Sequence, residues 1–281
     1  MSEKNLVICD REITYANGLA ENIAKREELN VKVYTFASLQ KAFLFSQGKP
    51  VHILIVDERS EITSISIPES VTSIGEGAFY ECIYLTSVNI PEGLTSIERE
   101  AFRECSNLAS ITIPKSVFLI GDWAFHGCGA LTSIIVEEGN TAFDSRNNCN
   151  ALIETKNDSL IIGSSATIIP EGVVSIGEFA FLNCSRLFSL IIPEGVTSIG
   201  RGAFCGCNSL SFISIPKSVV LIGDEAFRDC SSLTAINIPE DVTSIGFFTF
   251  SGCSNLTAIA LPESVTSIGY GAFSGCSSLT S

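Results

Sequence analysis

The feature that most constrains this chain is a phrase that it repeats. "IPESVTSIGEGAFYEC" begins at Ile67, and variants of it begin at Ile90, Ile192 and Leu261. An Ile-Pro or Leu-Pro pair places proline at 68, 91, 114, 170, 193, 216, 239 and 262, each 23 from the next except between 114 and 170. That gap holds a degenerate unit, with Glu137 in the proline position, followed by a step of 33 instead of 23. A fixed period of this size marks stacked repeats, in which one unit cannot bury its own apolar face and a pile of them can. Nine units are expected over residues 61–281, the fourth enlarged by an insertion at about 137–169.

Each unit reads L-x-x-I-x-I-P-x-x-V-x-x-I-G-x-x-A-F-x-x-C. In "LTSVNIP" strand alternation turns Leu85, Val88 and Ile90 inward and Asn89 outward. Pro91 ends that strand because it has no N–H for a ladder. "VTSIG" predicts a second short strand closed by glycine. The Ala-Phe pair and the cysteine predict a helical turn, with Phe and Cys three apart on one face.

These units resemble the leucine-rich repeats of the BspA-like family. The resemblance covers about residues 61–281 and implies a solenoid with a parallel β-sheet on its concave face. The fourth unit, "VEEGNTAFDSRNNCNALIETKNDSLIIGSSATIIP", resembles a variant carrying an extra β-hairpin between rungs. "NALIETKNDSLIIG" reads as its two strands, around Lys156, Asn157 and Asp158.

Residues 1–60 do not repeat. "NLVICD", "VKVYTF" and "HILIVDE" read as strands, and Ile13 to Glu28 and Ala37 to Gly48 as helices. This β-α-β-α-β order predicts a small parallel sheet and resembles the first half of a response-regulator receiver domain. On that resemblance Asp10 matches a metal-binding acid and Asp57 the phosphorylated aspartate. Arg11 replaces the usual second acid, and the strands that carry the partner lysine and switch hydroxyl are missing. Residues 1–60 are therefore expected to form a half-receiver-like α/β cap. Its open third strand would lie near the first repeat strand, Ile62 to Ile67.

Composition narrows the function. A formal net charge of −14 opposes nucleic acid and anionic membranes, both of which select clustered Lys and Arg. No apolar run of about eighteen residues is present, so no membrane insertion is expected. "MSEKNLVICDREITYANGLAENIAKREE" lacks a signal-peptide pattern, which predicts a cytoplasmic chain, with the cell surface by another route as the alternative. "GCSSLTS" stops partway into a strand, which predicts an end-to-end homodimer or a longer array.

Catalytic chemistry has little to stand on. The chain has two histidines, His52 and His126, too few for a triad or a His-ligated metal. No cofactor and no metal site are expected. Cys82, Cys105, Cys128, Cys184, Cys207, Cys230, Cys253 and Cys276 form a ladder at the repeat interval. Adjacent rungs would permit disulfides, but small apolar filling is the expected role, with Cys205 the more exposed thiol. Glu69, Glu92, Glu171, Glu194, Glu240 and Glu263 follow the prolines, interrupted by Lys115 and Lys217, and read as a solvated rim. The informative variation is in the outward residue just before Ile-Pro. It is small or polar at both ends of the array but Ile135, Ile168 and Ile191 in the middle, with Phe188 and Phe212 nearby. Either these five bind another protein, or the insertion near Phe143 to Ile162 folds over them. The chain reads as a non-enzymatic protein-binding scaffold. The alternatives are a cell-surface adhesin, which the BspA-like resemblance implies, and a degenerate phosphorylation-responsive regulator acting through Asp57.

Overall fold

The computed structural model describes residues 4–9, 31–36, 53–56 and 63–280. The chain divides into two compact units, residues 1–126 with 137–140, and residues 127–136 with 141–281.

In the first unit β1 (Lys4–Cys9), β2 (Val31–Phe36) and β3 (Ile53–Val56) form a parallel sheet in the order β2-β1-β3. Leu6 pairs with both Val33 and Ile53. The two helices expected between these strands fall outside the described residues. Long strands β4 (Ser64–Ser66), β6 (Ser87–Asn89) and β8 (Ser110–Ile113) make a second parallel sheet. Short strands β5 (Ser73–Ile74), β7 (Ser96–Ile97) and β9 (Leu119–Ile120) make a third. The neighbour of β3 is β5, a short strand, and not the first long strand expected from the sequence.

The second unit repeats this scheme from β10 (Ser133–Val136) onward. Its long strands are β15 (Ser189–Ile191), β17 (Phe212–Ser214), β19 (Ala235–Asn237) and β21 (Ala258–Ala260). Its short strands are β14 (Ser175–Ile176), β16 (Ser198–Ile199), β18 (Leu221–Ile222), β20 (Ser244–Ile245) and β22 (Ser267–Ile268). Parallel partners lie one repeat apart, as in Leu190↔Ile213 and Ile176↔Ile199. Between the two sheets and the turn segment runs one continuous core, from Cys149 to Ala272. Phe181, Phe204, Phe227, Phe250 and Phe273 stack through it with ring centroids 5.1–5.6 Å apart, close to the strand spacing that sets the rise of each rung.

The segment carrying Ala-Phe and Cys is not the helical turn that its spacing predicts. In the first repeat Ala78, Tyr80 and Cys82 donate their N–H to carbonyls three residues back, Gly75, Gly77 and Phe79. Gly77, Phe79 and Glu81 donate instead to Arg99, Ala101 and Arg103 of the next rung. Alternate amides thus point along the stack, which an α-helix cannot do because every amide is spent within it. Two left-handed residues four apart allow the alternation, Gly77 (φ 59) and Glu81 (φ 53) here, Gly202 and Gly206 in a later rung. Glycine takes this conformation without steric cost.

The insertion forms β11 (Phe143–Asp144), β12 (Leu152–Glu154) and β13 (Ser159–Ile162). β11–β12 and β12–β13 are antiparallel, and β13 runs parallel to β14 with Leu160↔Ile176. The expected hairpin is therefore present, and it extends the short-strand sheet. Arg146 ties the end of β11 to the hairpin's turn, with Nη2 2.7 Å from both Asp144 Oδ2 and Asp158 Oδ1.

Candidate functional site

On each long strand the middle residue points into the core and its neighbours point out. Leu190 and Ile213 are buried, while Ser189, Ile191, Phe212 and Ser214 are exposed. All nine residues that precede the Ile-Pro position, from Ser66 to Ala260, are exposed, as strand alternation requires. The register sets Phe212 beside Ser189 and Ile191 beside Ser214. Ser211 N donates to Phe188 O at 3.0 Å, which holds Phe188 at the entrance to the same strand pair. Ile168 stands one repeat before Ile191, on rungs joined by Ser175↔Ser198. Ile168, Phe188, Ile191 and Phe212 are thereby gathered on three successive rungs.

Ile135 stands on the rung before the insertion. It is carried by β10, whose Val136 N donates to Ser145 Oγ (2.9 Å), while Ile168 N donates to Cys149 O (3.0 Å). Insertion residues stand beside both, and among the described residues no strand pairing joins β10 to Ile168. The insertion does not lie over the patch. Ile135, Ile168, Phe188, Ile191 and Phe212 are 50%, 77%, 67%, 69% and 54% exposed, which overturns the covering alternative. The reason is the pairing of β13 with β14: once it completes the short-strand sheet, the hairpin's hydrogen-bonding edge belongs there.

A second apolar strip escaped the sequence reading. Val174, Val220 and Leu221 are exposed on the short-strand side. Elsewhere a threonine hydroxyl at this level donates to the previous rung, as in Thr197 Oγ1 to Val174 O (3.2 Å) and Thr266 Oγ1 to Thr243 O (3.3 Å). The change of "VTSIG" to "VVSIG" at Val173 and to "VVLIG" at Val219 was the signal that could have found the strip.

The polar groups show no catalytic arrangement. No disulfide joins the described ladder cysteines to one another. In Cys105, Cys184, Cys207, Cys230, Cys253 and Cys276 the S–H finds a carbonyl on the preceding rung, as in Cys105 to Phe79 O (3.0 Å) and Cys230 to Phe204 O (3.2 Å). Burial pushes the Cys184 and Cys253 thiols up to about 12 and holds Cys207 and Cys230 well above the ordinary range, so none is a thiolate nucleophile near neutrality. Cys205, half-buried, is also raised by burial and by Asp229. Burial and the nearby Arg103 depress His126 to about 4. Among the described residues no group of three or more His, Cys, Asp or Glu side chains is arranged to hold a metal ion. His52, Asp10 and Asp57 lie outside the described residues.

This rung geometry has a match among known families. The BspA type leucine rich repeat region, in six copies, covers residues 57–166 and 162–280. The chain belongs to this family. A leucine rich cell surface protein from Faecalibacterium prausnitzii A2-165 resembles this BspA-type chain at 31% identity and a TM-score of 0.72, over 89% of this chain and 71% of that one. A leucine-rich repeat protein from Eubacterium ventriosum shares the fold at 22% identity and a TM-score of 0.64, over 100% and 90%. The pneumococcal vaccine antigen PcpA does so at 22% and 0.60, over 86% and 68%. No curated protein matches the BspA-type chain. The likeness of residues 1–60 to a receiver domain finds no support in these comparisons. No helix among the described residues is long and apolar enough to cross a membrane.

Proposed function

We propose that this BspA-type repeat protein is a scaffold that binds another protein through the outward face of its long strands. The observation that carries the reading is the exposed cluster of Ile168, Phe188, Ile191 and Phe212 on three stacked rungs. Exposed apolar side chains gathered on one rigid face mark an interaction surface, whereas single scattered ones are ordinary. Repeat proteins expose long faces of this kind because each rung adds one more outward strand without altering the core. The relative from Faecalibacterium prausnitzii is described as a cell surface protein, which favours the surface over the cytoplasm as this chain's place of work and an adhesin-like role there. The test is capture from the native proteome with wild-type protein and an Ile191→Ser/Phe212→Ser variant. Both side chains are outside the core, so the variant should fold with unchanged circular dichroism and lose at least ~10-fold in captured partner, about the loss of one 1.4 kcal/mol anchor. Equal capture by a folded variant rejects this face.

A further inference from the structure

The charge around this face narrows its occupant, on the reading that the face is a docking surface. Immediately past the prolines of the second unit stand Glu171, Glu194, Glu240, Asp241 and Glu263, all exposed. Rung-to-rung contacts at the same level, such as Gly195 N to Ser218 Oγ at 3.2 Å, stack these positions into a row. The row runs beside the exits of the long strands, three residues beyond Ile168 and Ile191. Lys217 is the single cation within it.

The acids of this row differ from those on the turn segment. Glu225 is held by Arg201 (2.7 Å) and Arg228 (3.0 Å), and Asp144 and Asp158 by Arg146. Among the described residues, none of the five row acids makes an ion pair. Next to the bulky side chains, the outward positions of β19 and β21 are Ala235, Asn237, Ala258 and Ala260, a low floor against the wall made by Ile191 and Phe212. One side of this floor is therefore bounded by apolar side chains and another by uncompensated negative charge.

We propose that the face receives an amphipathic segment of a partner protein, with aliphatic side chains set against Ile168, Phe188, Ile191 and Phe212 and Lys or Arg side chains reaching the glutamate row. An exposed ion pair contributes only about 0–1 kcal/mol, so the apolar wall supplies most of the affinity and the row selects the sign of the partner. An acidic segment of the same shape would meet several like charges within a Debye length, about 8 Å at physiological salt.

The test uses the intact chain and three labelled peptides of one pattern, Leu/Lys, Leu/Glu and Ser/Lys, followed by fluorescence anisotropy. The Leu/Lys peptide should bind. Its affinity should fall at least ~10-fold in Glu171→Gln/Glu194→Gln/Glu240→Gln, in Ile191→Ser/Phe212→Ser, and between about 0.1 M and 1 M salt, where the Debye length shrinks from about 10 to 3 Å. Equal binding of Leu/Glu, or no effect of the Gln variant, overturns the basic-partner inference and leaves the apolar face standing if the Ser variant still weakens binding. An unaffected Ser variant removes the face itself. Ser/Lys binding as tightly as Leu/Lys is charge adsorption alone and overturns the inference, as does binding of none of the three.

Discussion

At the residue scale, the cysteine carried by most rungs does two things with a single atom. Its sulfur fills the core beside the stacked phenylalanines, and its S–H satisfies a carbonyl of the rung before, 3.1 Å away in Cys207 and Cys253. Serine would fit the space and the hydrogen bond, but burying its hydroxyl costs more than burying a thiol. Because burial holds these thiols neutral in the folded chain, stability falls at alkaline pH. Cys184 and Cys253 ionise near 12 when folded and near 8.5 when unfolded. Their contribution is complete below about pH 8.5 and is lost as pH rises toward 12, because only the unfolded chain releases the protons in that window. Each thiol should lower stability by about 2 kcal/mol at pH 10 relative to pH 8. Urea titrations at the two pH values check this, and a Cys184→Ala/Cys253→Ala variant should show a smaller difference between them. Reaction with a thiol reagent at pH 8 should follow burial, with the half-buried Cys205 and Cys276 labelled before the buried thiols of the described ladder.

At the element scale, the turn segment is where local pattern misleads. Phe and Cys three apart fit one face of a helix, and they also fit a pair of consecutive turns. What separates the two is a recurrence of glycine at two places four residues apart, seen at Gly202 and Gly206 and again at Gly271 and Gly275. Glu100 and Glu104, or Phe179 and Asn183, hold the same places in other rungs with positive φ. Side chains there accept about 1 kcal/mol of strain for amides that bond to the next rung. The insertion depends on one close approach. A Cβ on Gly163 would lie 2.0 Å from the Phe181 ring, which is fully buried at the head of the aromatic stack. Gly163→Ala should therefore destabilise the second unit by about 1–3 kcal/mol through overpacking. Denaturant unfolding would measure this, and Phe181→Leu in the same chain should recover part of the loss. A neutral Gly163→Ala would mean that the hairpin can shift away from the stack.

At the scale of the whole molecule, stability is a sum over neighbouring rungs and not over distant ones. Phe204 sits between Phe181 (5.1 Å) and Phe227 (5.4 Å) with no exposed surface. Phe204→Ala should cost about 3–5 kcal/mol. In native-state hydrogen exchange the lost protection should be greatest at the amides of Phe181, Phe204 and Phe227. Amides around Ile74, Phe79 and Ile97, in the first compact unit, should keep theirs. Loss of protection at the same rate in both units would show that the chain unfolds as one body.

Much of this was open to sequence reading because a repeat states its own rules several times over. Ile-Pro at a fixed interval reports where each long strand ends. Alternation reports that Leu190 goes in and Ile191 goes out. Both are local consequences of backbone geometry, so they survive without knowledge of the rest of the chain. The nine outward positions were exposed for that reason. The residues that change between copies, Ile168 and Phe212 among them, stood out only because the rest did not change. Two outcomes were beyond local pattern. The neighbour of β3 is β5, and the hairpin joins the short-strand sheet, where it leaves Ile168 and Ile191 open. The second depends on which sheet edge still has free N–H and C=O groups once every rung has stacked. The amino-acid order alone determined the rung and the face each side chain takes on it. Only the tertiary structure decided which edge the insertion would complete, because an unpaired strand edge comes into being when the rungs assemble.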